Sequence, residues 1–319
     1  MVNVFSSVAF AGNPTCVCFV PPEISEPCIP ASAAAAATAW MSKVARELAQ
    51  PTTSFVEPVA GRFRTFSSSG DELPMLSGHS SLGIAAAMSA RTGATSHTLT
   101  SPYGMVALSY ERGTQLCELT LPSAPEPLVS PTAIDPLLDA LGILATDQQH
   151  SVVAHGLVLG GKFAFVELTP DALGKVAPRF DLIRALPCLG LIAMAAGLVE
   201  EHETNGGEGY TPHCLSGELS ARPSRIDFTC RNFVPKLGIE EDIATGSIHA
   251  ALNPYWRDKL GRGQAEALHC LQASRRGGFV RSVGGDDGRV RVLGHVAFAF
   301  SGTVPCRVPC GNSDWRCDT

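Results

Sequence analysis

Two helices that each begin at a glycine constrain most strongly what this chain can fold into. Strand-like runs precede Gly78, and the small residues of the segment 79–90 are typical of a tightly buried helix. The order recurs after a Pro-rich joint, where Gly246 and Ser247 open a second helix with the sequence SIHAALNPYWRDKLG. Because about half of the 319-residue chain separates the two glycines, we interpret the chain as a duplicated α/β unit.

The duplication predicts an α/β (α+β) chain of two halves, residues 1–125 and 126–319. Residues 200–223 are rich in Gly, Glu, Thr and Ser and are predicted to be a mobile surface insertion, with residues 304–319 as a tail. An Ala/Leu-rich run predicts a further helix near residues 190–199, and two separate strands are predicted over 289–293 and 296–302.

Composition excludes several classes of protein. The formal net charge is −6 and no basic run occurs, so nucleic acid is not expected as a partner. The longest apolar stretches, 33–40 and 189–199, are shorter than the roughly 20 residues of a membrane-spanning helix. The first residues do not resemble a secretion signal, and we expect a cytoplasmic protein without membrane contact.

Eleven cysteines are present, and those in apolar strand-like runs, Cys230 among them, are expected to be free core residues. Cys306, Cys310 and Cys317 are predicted to be loose surface thiols of the tail, because they lack the C-x2-C or histidine spacing of a zinc site. We therefore expect neither disulfides nor a metal.

Known nucleotide and hydrolase motifs are not met. The segment 156–162 matches G-x4-G-K, but Phe163 replaces the Ser or Thr that would hold magnesium, which argues against a phosphate-binding loop. The chain also has no G-x-G-x-x-G between a strand and a helix, no G-x-S-x-G and no H-E-x-x-H.

The two helix starts are the candidate site. Gly78, His79 and Ser80 offer backbone N–H groups, an imidazole and a hydroxyl at the positive end of a helix, which suits a carboxylate or an oxyanion. Asp242 lies just before the second start at Gly246. Facing starts would place two acid/base groups above two anion-binding termini, an arrangement suited to proton transfer next to a carbonyl. Taken singly, each start is more simply interpreted as a tight turn with a serine cap.

Five motifs in order resemble the PhzF family of phenazine-biosynthesis-type isomerases. They extend from residue 2 to about residue 302 and read VFSSVAFAGNPTCVCFV, MSKVARELAQPTTSFV, FRTFSSSGDELPMLSGHSSLG, IDFTCRNFVPKLGIEEDIATGSIHAALNPYW and QASRRGGFVR. The resemblance implies the diaminopimelate epimerase fold, in which two pseudo-symmetric domains each wrap a curled sheet around a central helix. It also implies a site between the domains, a homodimer, and neither metal nor organic cofactor.

The resemblance also assigns roles to single residues. It implies that His79 and Asp242 are the catalytic residues, that Gly246 and Ser247 supply backbone donors, and that Asn13 contacts the substrate. Thr52 stands where the family has a Glu that shuttles the proton. A threonine hydroxyl does not titrate near neutral pH, so we expect Thr52 to bind or shape the substrate rather than act as a base.

Three functions follow from these residues. The first is an isomerase or cyclising enzyme for a small biosynthetic intermediate with a carbonyl or carboxylate, in which Asp242 and His79 transfer protons. The second is ring closure directed by shape and hydrogen bonds without a proton relay. The third is a degenerate homologue that only binds a metabolite.

Overall fold

The computed structural model describes residues 1–21, 31–124, 133–143, 151–203, 209–215, 222–285 and 287–306. Within these ranges the chain forms six α-helices and seventeen strands. The helices are α1 (Ala31–Leu48), α2 (Gly78–Thr92), α3 (Asp135–Leu141), α4 (Pro170–Gly174), α5 (Phe180–Ala185) and α6 (His249–Lys259). The strands are β1 (Val2–Val4), β2 (Asn13–Phe19), β3 (Thr52–Glu57), β4 (Arg62–Ser67), β5 (Ser96–Ser101), β6 (Gly104–Glu111), β7 (Leu116–Pro122), β8 (Val152–Val158), β9 (Phe163–Leu168), β10 (Gly190–Ala196), β11 (His202–Glu203), β12 (Gly209–Tyr210), β13 (Phe228–Val234), β14 (Ile239–Asp242), β15 (Ala267–Gln272), β16 (Gly278–Gly284) and β17 (Arg289–Phe298).

The first half of the fold is a closed ring of strands around α2. Strands β1 to β7 pair in sequence order, and β17 closes the ring by pairing with both β7 and β1. Every residue of α2 from Gly78 to Ser89 is buried inside this ring. The helix fits because its residues are small: a Cβ at Gly83 would lie only 2.6 Å from the Thr15 side chain on β2.

The second half is a sheet in the order β8, β9, β10, β13, β15, β16 and β17, on which α6 packs. Trp256 of α6 is fully buried and stacks on Phe228 of β13 with ring centroids 5.0 Å apart. β17 lies after residue 126 but completes the ring of the first half. The α/β class is confirmed, while the two-domain division and its pseudo-symmetry stay predictions.

The helix predicted near residues 190–199 is wrong, because residues 190–196 form β10. Ile192 and Met194 face the core that contains α2 and α6, whereas Leu191, Ala193 and Ala195 face a second core beneath α3, α4 and α5. A strand buried on both faces has an uninterrupted apolar sequence without the alternation that marks a half-exposed strand. This short run therefore resembled a helix in composition.

Three further expectations differ from the structure or are only partly described by it. Residues 289–298 form one strand where two were predicted. Cys306 is buried in a cluster with α1, so its assignment as a surface thiol is wrong, and Cys310 and Cys317 lie outside the described residues. The described parts of the predicted insertion include the buried side chains of His202 and Cys214.

The eight described cysteines are all free. None of the described helices is both long enough and apolar enough to span a membrane.

Candidate functional site

The starts of the two helical segments are in direct backbone contact. A Cβ added at Gly78 would lie 2.7 Å from Ser247 N and 2.9 Å from Gly246 Cα. The second segment begins as a tight turn, with His249 N donating to Gly246 O at 3.2 Å and Ala250 N to Ser247 O at 3.2 Å. Glycine is needed at position 78 because a Cβ there would overlap the facing backbone, whereas a Cβ at Gly246 would make a tight contact with Gly78 at 3.3 Å.

Phe5 lies beside this contact and was not singled out by sequence reasoning. A Cβ at Gly246 would touch the Phe5 ring at 3.3 Å, and one at Gly278 would lie 3.1 Å from Phe5 Cβ. The backbone of Phe5 has a φ of 64°, a left-handed conformation that is costly for a bulky residue. Phe279 N holds it by donating to Phe5 O at 3.1 Å. The sequence signal for this packing was the set of glycines at 246, 278 and 294.

Asp242 is held at the end of β14 by donors from distant parts of the chain. Asn13 Nδ2 donates to Asp242 Oδ1 at 2.9 Å and to Ala244 O at 2.8 Å. Thr245 Oγ1 donates to the other carboxylate oxygen, Oδ2. Both carboxylate oxygens of Asp242 thus accept a hydrogen bond from a side chain of the protein.

The orientation of the Thr245 hydroxyl follows from its other partners. Asn232 Nδ2 donates to Thr245 Oγ1 at 2.9 Å, and Gln272 Nε2 donates to it at 3.1 Å. The hydroxyl proton is therefore directed at Asp242. Gln272 also accepts from Thr245 N at 2.7 Å and donates to Asp242 O at 2.8 Å. Asn232 and Gln272 were missed by sequence reasoning because their strands, β13 and β15, meet this loop only in the folded protein.

His79 is surrounded by hydroxyl groups. Its Nε2 lies 2.9 Å from Thr52 Oγ1, and its Nδ1 lies 3.3 Å from Ser77 Oγ. Ser77 caps α2 by accepting from Ser80 N at 3.4 Å. Ser80 Oγ lies 2.6 Å from Thr52 Oγ1 and 2.8 Å from Ser77 Oγ. Thr52 is thus in contact with both His79 and Ser80.

Electrostatics connect the two candidate acid/base groups. Burial of the ring lowers the pKa of His79 below its ordinary value, while the Asp242 carboxylate acts in the opposite direction. The imidazole is therefore neutral at pH 7, with one N–H and one unprotonated nitrogen. The structure brings together a hydrogen-bonded carboxylate and a neutral imidazole beside the contact of Gly78 with Gly246.

The site is closed in this structure. His79 is 5% exposed, Thr52 2% and Asp242 9%, and Asn13 and Ser80 are fully buried. Ser77 and Ser247 are partly exposed and mark where the site approaches the surface. A separate groove of about 240 Å³ between α1 and strands β3 to β5 contains none of these residues.

Asn13 has an unused acceptor in this closed site. Its Oδ1 is buried and has no hydrogen-bond partner among the described residues, while its Nδ2 is committed to Asp242 and Ala244. An unpaired buried carbonyl oxygen is costly. Asn13 is therefore equipped to accept a hydrogen bond from a ligand.

Cys230, expected to be a core residue, and His249 both lie in the core. Cys230 is fully buried with its Sγ 3.5 Å from Cys270 Sγ. His249 is fully buried, and burial lowers its pKa to about 3. Among the described residues, no group of three or more His, Cys, Asp or Glu side chains is placed to hold a metal ion.

Comparison with known proteins gives a consistent result. The family described as phenazine biosynthesis-like protein (PhzC-PhzF) matches residues 2–302 of the chain. An uncharacterized isomerase of Vibrio cholerae is 32% identical over 249 residues, which cover 75% of this chain and 73% of that protein. A human phenazine biosynthesis-like domain-containing protein is 28% identical over 311 residues, covering 95% of this chain and 97% of the human one.

Solved structures extend the comparison to the fold. A PhzF-family protein of Enterococcus faecalis is similar with a TM-score of 0.68 and 25% identity, covering 93% of this chain and 94% of that chain. A putative PhzC/PhzF protein of Clostridium difficile has a TM-score of 0.70 and 23% identity, with 96% and 98% of the two chains covered. The mixed α/β fold of the PhzF-family proteins, expected from the sequence motifs, is confirmed.

Proposed function

Because this chain belongs to the PhzC-PhzF family of phenazine biosynthesis-like proteins, we propose that it is an isomerase that moves a proton within a small biosynthetic intermediate. Relatives from Vibrio cholerae, Pseudomonas aeruginosa and Halalkalibacterium halodurans are named isomerases, which supports this reaction class. The observation that carries the proposal is the position of Asp242 and His79 beside the contact of Gly78 with Gly246.

The substrate would carry a carbonyl or a carboxylate. The first N–H groups of a helix have no partner inside the helix, and the start of α2 at Gly78 meets Gly246, which lies in the turn that leads into α6. Such N–H groups stabilise negative charge on oxygen, including charge that develops when a neighbouring carbon loses its proton. Since the site is closed, substrate would enter by separation of the two starts at Ser77 and Ser247, the partly exposed residues.

Asp242 would be the group that removes the proton. Each of its oxygens accepts one hydrogen bond, from Asn13 and from Thr245, and a carboxylate has further lone pairs that can take a proton. The protonated Asp242 then delivers a proton, which exchanges with solvent before its return, to a second carbon; this gives an isomer and restores the carboxylate. The balance needs no oxidant or reductant.

His79 would stabilise the negative charge that develops on the substrate oxygen. A neutral imidazole presents one N–H and one acceptor nitrogen, so it can donate a hydrogen bond to the developing oxyanion without adding a positive charge. Burial, which lowers the pKa of His79, supports this neutral form. Thr52 would orient the ring through the 2.9 Å contact with its Nε2.

One observation favours a second function, ring closure without acid/base catalysis. Thr52 contacts His79 directly and carries a hydroxyl that does not titrate near pH 7. In that case the site would orient a reactive intermediate by shape and by the donors of the two helix starts.

A pH–rate profile of the wild type and of His79→Ala separates the two functions. For the isomerase we expect titration limbs in the profile and a loss of activity in His79→Ala of about 100-fold or more, the usual contribution of a positioned acid or base. A flat profile together with full activity of His79→Ala would favour ring closure and would overturn the proposed proton transfer.

A further inference from the structure

The hydrogen bonds around His79 form a closed ring. Starting at Nε2, the ring passes to Thr52 Oγ1 at 2.9 Å, then to Ser80 Oγ at 2.6 Å, to Ser77 Oγ at 2.8 Å, and returns to Nδ1 at 3.3 Å. Each of the three hydroxyls can donate one hydrogen bond and accept another. Both nitrogens of one imidazole are thus connected through three hydroxyl groups.

We propose that this ring exchanges the two neutral tautomers of His79, and that Thr52 is the positioning residue that closes it. In one tautomer Nε2–H donates to Thr52, Thr52 to Ser80, Ser80 to Ser77, and Ser77 to Nδ1. In the other tautomer all four hydrogen bonds point the opposite way. Four protons move by one place each, no charge is created, and no proton leaves the protein.

Two contacts from outside the ring reach its hydroxyls. Ser80 N donates to Ser77 Oγ, and Thr15 Oγ1 lies 2.9 Å from Thr52 Oγ1 and 3.2 Å from its alternative acceptor, Thr52 O. When Thr15 donates to Thr52 Oγ1, the protons of Thr52 and Ser77 both remain available to the ring. The ring combines residues from β3 and the start of α2, which the sequence places 25 or more positions apart.

Among the described residues, the charged group that acts electrostatically on His79 is the carboxylate of Asp242 on β14. Its carboxylate would favour a protonated imidazole, but burial outweighs this effect and the pKa of His79 is lowered. The imidazole therefore stays neutral, which is the state in which two tautomers compete.

Tautomer exchange would change the protonation of His79 Nδ1, the nitrogen next to Ser77. Ser77 is the partly exposed member of the ring and makes its longest hydrogen bond, 3.3 Å to Nδ1. A ligand that displaces this bond would meet an N–H in one tautomer and a lone pair in the other. This role rests on the proposed function, since it lets His79 act as donor or acceptor toward the same substrate without changing charge.

The test is ¹⁵N NMR of protein labelled at histidine, at pH 7 and without ligand, with the His79 signals assigned from a His79→Gln variant. In the wild type we expect both ring nitrogens of His79 at shifts intermediate between protonated and unprotonated nitrogen. In Thr52→Val we expect one protonated and one unprotonated nitrogen, because loss of one neutral hydrogen bond shifts the tautomer ratio by up to about tenfold. Thr52→Ser should restore the wild-type shifts.

Thr53→Val is the matched control. Thr53 is the next residue of β3 and is fully buried, but its hydroxyl has no hydrogen-bond partner in the described part of the chain. It should leave the His79 shifts unchanged. If Thr52→Val does not fold, Ser77→Ala opens the ring at its partly exposed side and should give the same separated shifts.

Two results would overturn the proposal: a single tautomer in the wild type, or intermediate shifts that persist in Thr52→Val or, where that variant does not fold, in Ser77→Ala. Because no substrate is present, these results are independent of whether the protein is an isomerase. If the NMR shifts exclude tautomer exchange but the enzyme still transfers protons, only the tautomer proposal fails. If the shifts show tautomer exchange but no proton transfer is found, only the proposed function fails.

Discussion

Replacing Gly78 by alanine tests the contact of the two helix starts. The new methyl carbon would lie 2.7 Å from Ser247 N and 2.9 Å from Gly246 Cα, whereas ordinary van der Waals contact begins at 3.4 Å. Both neighbours are backbone atoms and cannot rotate away. We therefore expect the two starts to separate by several tenths of an ångström.

The cost can be bounded from two opposing effects. Overpacking of a tight contact usually destabilises by about 1–3 kcal/mol. Replacement of glycine by alanine also restricts the unfolded chain, which stabilises by about 0.4–1 kcal/mol. The free energy of unfolding of Gly78→Ala should therefore fall by about 1.3 kcal/mol, the centre of the two ranges, and by at most about 2.6 kcal/mol.

Gly113→Ala is the control, because no atom lies within 4 Å of the added Cβ and its φ is not left-handed. This variant should be unchanged or slightly more stable. Urea unfolding followed by tryptophan fluorescence gives both midpoints at a common slope. Equal midpoints for the two variants would refute the close backbone contact at Gly78.

Burial lowers the pKa of His249 to about 3. Between about pH 6 and pH 4 this imidazole is therefore protonated only in the unfolded chain, and the free energy of unfolding falls as the pH falls. His249→Leu should reduce that slope by about 1.4 kcal/mol per pH unit in urea titrations, and an unchanged slope would contradict the burial. Arg231 is 3% exposed and donates to Glu241 at 2.7 and 3.0 Å. The Arg231→Met variant should have a free energy of unfolding about 3–5 kcal/mol lower than the wild type. Lys175→Met removes an exposed ion pair with Asp171 and should cost less than about 1 kcal/mol; similar thermal shifts for the two variants would argue against the buried pair.

The sequence was most informative where local chemistry dictates structure. Gly78 followed by small residues predicted a buried helix start, and α2 begins there. The second helix was predicted to open at Gly246, but it begins at His249 after a turn, and the backbones of Gly78 and Gly246 are in contact. Asp242, named from its place before Gly246, and Asn13, named on motif resemblance, are hydrogen-bonded to each other across 229 positions.

The sequence was least informative where tertiary contacts decide. Residues 190–196 are apolar on both faces because β10 separates two cores, and such a run has no period that distinguishes strand from helix. Gln272 and Phe5 gave no local signal, since Gln272 reaches Thr245 only through the packing of β15 and Phe5 fits against glycines at 246 and 278.

The most direct test of the account is the uptake of deuterium from D2O by small carboxylic acids that carry an acidic C–H next to a carbonyl or a double bond. Mass spectrometry would compare the wild type with Asp242→Asn, and Asp171→Asn, at an exposed carboxylate of α4, is the control. We expect the wild type and the control to exchange one carbon-bound hydrogen of an accepted acid and Asp242→Asn to be at least about 100-fold slower. Equal exchange by all three proteins, or exchange by none, would contradict proton transfer by Asp242 at the meeting of the two helix starts.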